Sequence, residues 1–142
     1  MADARLLANA LRNYGPQVDA QGFPIDTSRP VVFDQSTFEP HTELSMTVPA
    51  KELGLPGNNY YNVPSIYNGQ IYNPETQFKE IRQNVQANVA NGVQYPNFSD
   101  VNTAVEAAKS RSHKLGEIRR DELNEAVQQK RRDFLMQLMN GQ

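Results

Sequence analysis

Apolar residues along this chain fall into short clusters separated by polar stretches, and the spacing inside each cluster predicts an element. In residues 2–13, Leu6, Leu7, Ala10 and Leu11 recur at helical spacing, with Asp3 near the end of the helix dipole that favours negative charge. Tyr14-Gly15-Pro16 stops the pattern, so residues 1–14 are read as a short amphipathic helix. A helix this short is marginal in water without a surface to lie on, whether that of its own chain or of a partner. Its leucine stripe is a contact surface in either case.

Residues 15–57 carry six prolines, Pro16, Pro24, Pro30, Pro40, Pro49 and Pro56, so closely spaced that neither a long helix nor a central strand can persist. This predicts an extended arm. Two pieces of it, Val31-Val32-Phe33 and Leu44-Ser45-Met46-Thr47-Val48, are β-compatible and suited to adding as edge strands to a neighbour's sheet. A solvated linker is the competing reading. Against it stand Phe23, Ile25, Phe33, Phe38, Leu44, Met46 and Val48, more apolar surface than a linker has use for.

In residues 58–112 turns, caps and apolar spacing agree, and this segment is expected to fold as a unit. Asn68-Gly69 between Ile66-Tyr67 and Gln70-Ile71 is a strong hairpin signal, because both turn positions need positive φ. Ile66 should pair with Ile71, and Tyr67 with Gln70. Asn73 then caps a helix with Pro74 at its first position; Phe78, Ile81, Val85 and Val89 follow at helical spacing until Asn91-Gly92 ends it. After a loop holding Tyr95, Pro96 and Phe98, Ser99 or Asp100 caps a second helix with Val101, Ala104, Val105 and Ala108 on one face. The expected core of this module is Pro64, Ile66, Gly69, Ile71, Phe78, Ile81, Tyr95, Phe98 and Val105.

In residues 113–142 an unbroken helical pattern runs from Glu117 to about Asn140. Its apolar positions lapse between Gln128 and Asp133 and return as Phe134, Leu135, Leu138 and Met139. That end reads as a hook for a partner, or as an amphipathic helix folding back on residues 58–112. The fold class expected is mainly α: a long irregular N-terminal arm, a small hairpin with two short helices, a longer C-terminal helix and little independent core.

Composition supports borrowed order. Of the 142 residues only 38% are apolar, tryptophan is absent, and 14 Asn with 12 Gln carry much of the polarity; the mean hydropathy is −0.68. Ordering a residue costs about 1–2 kcal/mol while burial returns about 25 cal/mol per Å², so an amide-rich arm gains little by folding alone. Fourteen basic against sixteen acidic residues make the net charge −2, too balanced for phosphate neutralisation to dominate, so no specific nucleic-acid partner is expected. No window is apolar enough to span a bilayer, and no membrane partner is expected.

Candidate chemistry is absent by motif. Without cysteine there is no thiol nucleophile or thiolate site. His41 and His113 are far apart and in no metal-binding spacing. Glu117, Asp121, Glu122 and Glu125 share turns with Lys114, Arg119 and Arg120, the pattern of a salt-bridged face. Neither phosphate-cradling glycine motif occurs, nor does Gly-x-Ser-x-Gly. Catalytic residues, cofactor, metal and small-molecule substrate are therefore all expected to be none, and the chain is not expected to be an enzyme.

Residues 62–112 carry Val63-Pro64-Ser65-Ile66-Tyr67-Asn68-Gly69, a capped helix, Tyr95-Pro96-Asn97-Phe98, and Val105-Glu106-Ala107-Ala108-Lys109-Ser110-Arg111-Ser112. This order resembles a short module of tailed-bacteriophage virion proteins, in which a Pro-Thr-Ile/Val-x-x-Gly element precedes an alanine-bearing helix, a Phe-rich loop and a Glu-Ala-Ala-x-x-Arg-Ser-like helix. Ser65 stands where threonine is commoner, and Phe78-Lys79-Glu80-Ile81-Arg82 replaces an alanine-richer stretch. The resemblance covers about a third of the chain and implies a structural, accessory or ejection role in a virion, with no active residue to carry over. The function expected is an adaptor assembled in the host cytoplasm that wraps or clamps portal, tail or capsid proteins, in several copies. Its expected contact residues are Leu6, Leu7, Leu11, Phe33, Phe38, Phe134, Leu135, Leu138 and Met139. An internal protein released with the genome and a small helical regulator that dimerises are the alternatives. Removing residues 1–50 is expected to abolish incorporation while leaving the middle folded.

Overall fold

The computed structural model describes residues 17–141, so the expected helix over residues 1–14 with Leu6, Leu7 and Leu11 lies outside the described residues. Among the described residues the fold is mixed α and β, with seven short strands and four helices, and not mainly α. The correction comes from the proline-rich stretch. Its two β-compatible pieces pair within the chain instead of waiting for a neighbour.

Strand β1 (Val32–Phe33) pairs with β2 (Pro40–His41). Strand β3 (Ser45–Pro49) pairs antiparallel with β4 (Tyr60–Pro64), from Ser45 opposite Pro64 to Pro49 opposite Tyr60. Between them Pro49 leads into a single turn, α1 (Ala50–Leu53), closed by Gly54 in the left-handed conformation. Strand β4 is central because β7 (Asn97–Phe98) pairs along its other edge. Pro40, Pro49 and Pro64 fall at strand ends, where a missing N–H costs least.

The hairpin forms in the expected register. In β5 (Ile66–Tyr67) and β6 (Gln70–Ile71), Ile66 faces Ile71 and Tyr67 faces Gln70, with Asn68 at φ 53° and Gly69 at φ 75°. The following helix, α2 (Phe78–Ala90), begins one turn later than the cap at Asn73 predicts. The Asn73 side chain instead accepts from the Glu75 N–H at 2.8 Å, its carbonyl accepts from Gln77 N–H, and its own N–H donates to the Gln77 side chain. Asparagine closes its local turn here in preference to capping the helix. Asn91-Gly92 ends α2 as expected, with Gly92 at φ 88°.

Helix α3 (Val101–Ile118) starts at Asp100, whose side chain accepts from Thr103 N–H at 2.9 Å. It runs straight through Gly116 and past Glu117, where the C-terminal helical pattern was expected to begin. The break comes at Arg119, before α4 (Arg120–Asn140). Arg119 is 4% exposed; its guanidinium donates to the Arg29 carbonyl at 2.6 Å and to Glu122 at 2.5 Å. A long-range anchor, invisible in local spacing, sets the break.

The β3–β4–β7 sheet lies between two helices. Met46, Val48, Tyr61 and Val63 face a core completed by Leu53, Tyr67, Ile81 and Val85, with Tyr72, Phe78 and Tyr95 packed against it. Thr47 and Asn62 face α3: Thr47 donates to the Asn62 side chain at 2.7 Å, which donates to the Ala104 carbonyl at 2.8 Å. Leu53, Ile81, Val63 and Val85 are fully buried. The chain therefore has an independent core, contrary to expectation, and β3 supplies part of it from the stretch expected to be an arm.

Candidate interaction surface

Three sets of side chains stand out on this frame. The first is a charged latch that holds the N-terminal loop down. Asp19 closes that loop by accepting from the Gln21 and Phe23 N–H groups, while Val18 bridges Pro24. Arg111 on α3 reaches in from the other side. It donates to Asp19 at 2.8 Å, to both Glu43 oxygens at 2.5 and 3.0 Å, and to the carbonyls of Phe23 and Pro24. Lys114, one turn on, donates to the Val18 carbonyl. Asp19, Glu43 and Arg111 are all largely buried, and the hydrogen bonds that Arg111 donates to Glu43 push its guanidinium above even its ordinary high range. These bonds fix loop to helix; every donor direction of the guanidinium is used, which leaves Arg111 no role toward a ligand.

The second set lies beside the hairpin. The Tyr67 hydroxyl is buried without a hydrogen-bond partner among the described residues. Burial, reinforced by Tyr95 nearby, pushes its phenol far above the ordinary range, so it stays neutral. The Tyr95 hydroxyl accepts from the Asn88 amide at 2.8 Å. Tyr67 and Tyr72 meet edge to face, with ring centroids 6.1 Å apart. This is hairpin-to-core packing, with no nucleophile or base in place.

The third set is at the surface. Leu123, Ala126 and Val127 of α4 are half-buried, and Lys130 sits over the Phe33 ring, 5.3 Å from its centroid. Beyond that point the helix leaves the body. Phe134, Leu135, Met136, Leu138 and Met139 are all between 55% and 75% exposed. At 100° per residue they cover more than half the helix circumference, interrupted by Gln137 alone. A collar of Lys130, Arg131 and Arg132 precedes them.

Beside the point where α4 leaves the body is a shallow groove of about 570 Å³ lined by Pro30, Val31, Val32, Phe33, Phe38 and Asp34, among others. Phe38 is 68% exposed and sits at φ 59°, a conformation that costs a bulky residue about 1–2 kcal/mol. It is held there by the turn that Asp34 builds. The Asp34 carboxylate accepts from the Ser36 N–H at 2.8 Å, the Ser36 hydroxyl at 2.6 Å and the Thr37 N–H, and its carbonyl accepts from the Phe38 N–H. The bonds from Ser36 hold that carboxyl below its ordinary range.

Among the expected contact residues, Phe33 and Phe38 line the groove that α4 passes at Lys130, and Phe134, Leu135, Leu138 and Met139 lie farther along the exposed end of α4. Of the expected module core, Ile66 and Ile81 are buried, Pro64, Ile71, Phe78, Tyr95, Phe98 and Val105 are half-buried, and Gly69 is exposed in its turn. Sequence reasoning missed the core contributions of Val48 and Leu53 and the anchoring roles of Arg111 and Arg119. Among the described residues no cluster of His, Asp and Glu could hold a metal ion, and no helix is long and apolar enough to cross a membrane. In comparisons with known proteins, no family model, no curated protein and no solved structure matches the chain.

Proposed function

We propose that this chain is a structural adaptor that works by burying surface against other proteins, in the particle of a tailed phage, where it holds portal, tail or capsid proteins. The observation that carries the contact part of this reading is the overhanging end of α4, with five large apolar side chains more than half exposed. Fully burying each is worth about 1.5–3 kcal/mol, enough for a stable contact after the cost of association. Exposed apolar surface concentrated in one patch marks an interaction site, and single scattered residues do not. The phage setting rests on the resemblance of residues 62–112 to the virion module.

The test is quantitative mass spectrometry of purified phage particles before and after triggered DNA ejection, with the chain scored against portal protein. A fixed ratio that survives ejection is the expected result. A ratio that collapses on ejection identifies an ejected protein, and absence from particles overturns the virion reading.

A further inference from the structure

The corner where α4 leaves the body carries two complementary surfaces on one chain. One is the helix end, Phe134 to Met139, behind the basic collar. The other is the groove floored by Val32, Phe33 and Phe38, whose lining includes the carboxylate residue Asp34, with Glu39 following Phe38 in sequence. Neither surface can satisfy the other within the same molecule. Helix α4 passes its own groove at Lys130, which covers Phe33, and the rigid helix then carries Leu138 on by about 12 Å, at 1.5 Å per residue.

We propose that the apolar end of α4 docks into the Phe33–Phe38 groove of a second copy of this chain. The charges favour this occupant. Arg131 makes no hydrogen bond or ion pair among the described residues, and Arg132 bonds only to the neutral Gln129 side chain. Both stand at the base of the docking end, separated from Phe134 only by Asp133, which accepts from Gln129, and there a neighbour's Asp34 and Glu39 would meet them. Among the described residues the Glu39 side chain pairs only with His41, at 3.8 Å. Opposite charge ringing an apolar centre is how protein contacts fix register and exclude wrong partners. The exposed, conformationally strained Phe38 is then the side chain against which the incoming helix packs. The contact runs from tip to groove, so it joins unlike surfaces and can build a closed pair or a ring. This deepens the adaptor reading: it takes the α4 end as a contact surface and names one occupant.

Sedimentation velocity of the purified full chain across a concentration series tests it, alongside two variants. Leu138→Glu spoils the tip. Phe38→Asn spoils the groove, with a residue that tolerates positive φ. Both positions are exposed, so circular dichroism should match the parent. The expected result is concentration-dependent association of the parent, weakened about thirtyfold or more in each variant, as for loss of a central interface side chain. An equimolar mixture of the two variants should then form a 1:1 pair, because one supplies an intact tip and the other an intact groove. A parent that stays monomeric at all concentrations overturns the proposal, as does association indifferent to either variant. A mixture that stays monomeric while the parent associates also overturns it, since the contact would then join like surfaces. Particle incorporation is scored separately: a monomeric chain that still enters particles at a fixed ratio refutes the self-contact and leaves the adaptor reading standing.

Discussion

At the scale of single residues, one arginine ties the N-terminal loop and Glu43 to helix α3. Arg111 satisfies two carboxylates and two carbonyls that come from three places in sequence, residues 19, 23–24 and 43. A buried ion pair gains little net stability over a well-packed apolar pair, yet breaking one from a single side leaves an unpaired buried charge. Among the described residues, Arg111→Leu would leave Asp19 without a cation and Glu43 with only Arg29, 3.8 Å away. The expected outcome is a loss of about 3–5 kcal/mol in urea-induced unfolding. Hydrogen exchange should show the 17–25 loop released in that variant; a loop that stays protected would mean the latch is incidental. In the sequence Arg111 is one basic residue in an alanine-rich helix, and nothing in its neighbours distinguishes it from the solvated Lys109. Its importance depends on partners 68 and 92 positions away. Local patterns do not reach that far.

At the scale of elements, legibility follows range. The β5–β6 hairpin could be read to the residue because its turn, register and pairing are all decided within six positions. The Asp100 cap and the Asn91-Gly92 stop are local too. The β3–β4 pair was missed for the opposite reason. Residues 44–48 are β-compatible by themselves but read as an edge strand for a neighbour's sheet, because only the burial of Val48 and Val63 against α2 makes pairing with Tyr60–Pro64 favourable. Helix α1 shows the same dependence. Gly54 ends it at φ 71°, and the Gln86 side chain from α2 donates to the Leu53 carbonyl that the helix end leaves free, at 2.9 Å. A Cβ added at Gly54 would lie 2.5 Å from the Gln86 amide nitrogen. Gly54→Ala should therefore both strain the backbone and displace that amide from its carbonyl. The expected cost is about 1–2 kcal/mol, the left-handed penalty plus part of a hydrogen bond, read by thermal unfolding. Gln86→Ala in the same background separates the two contributions: if Gly54→Ala costs as much without Gln86 as with it, the strain alone is responsible.

At the scale of the whole molecule, what matters is which parts of the chain the fold depends on and which it leaves free for contact. Composition suggested that the N-terminal half borrows its order, because an amide-rich, proline-punctuated stretch buries little per residue. Mean composition conceals placement, however: three apolar residues of that stretch, Ile25, Val48 and Leu53, lie in buried positions. Removing residues 1–50 would take away all of β3 and Val48, and with them one face of the core. The middle of the chain should then fail to fold, the reverse of what the sequence led one to expect, and loss of incorporation in that variant would say nothing about an arm. Removing residues 134–142 is the informative truncation. The described side chains it deletes are exposed and belong to no part of the core, so stability should change by no more than about 0.5 kcal/mol, the usual range for surface changes. Incorporation and self-association should nonetheless be lost. Circular dichroism melts of the two truncations, with particle incorporation scored by mass spectrometry, check both halves of this prediction. A 1–50 deletion that melts cooperatively would move the core's dependence away from β3, and a 134–142 deletion that enters particles normally would show that the end of α4 is not the contact the adaptor uses.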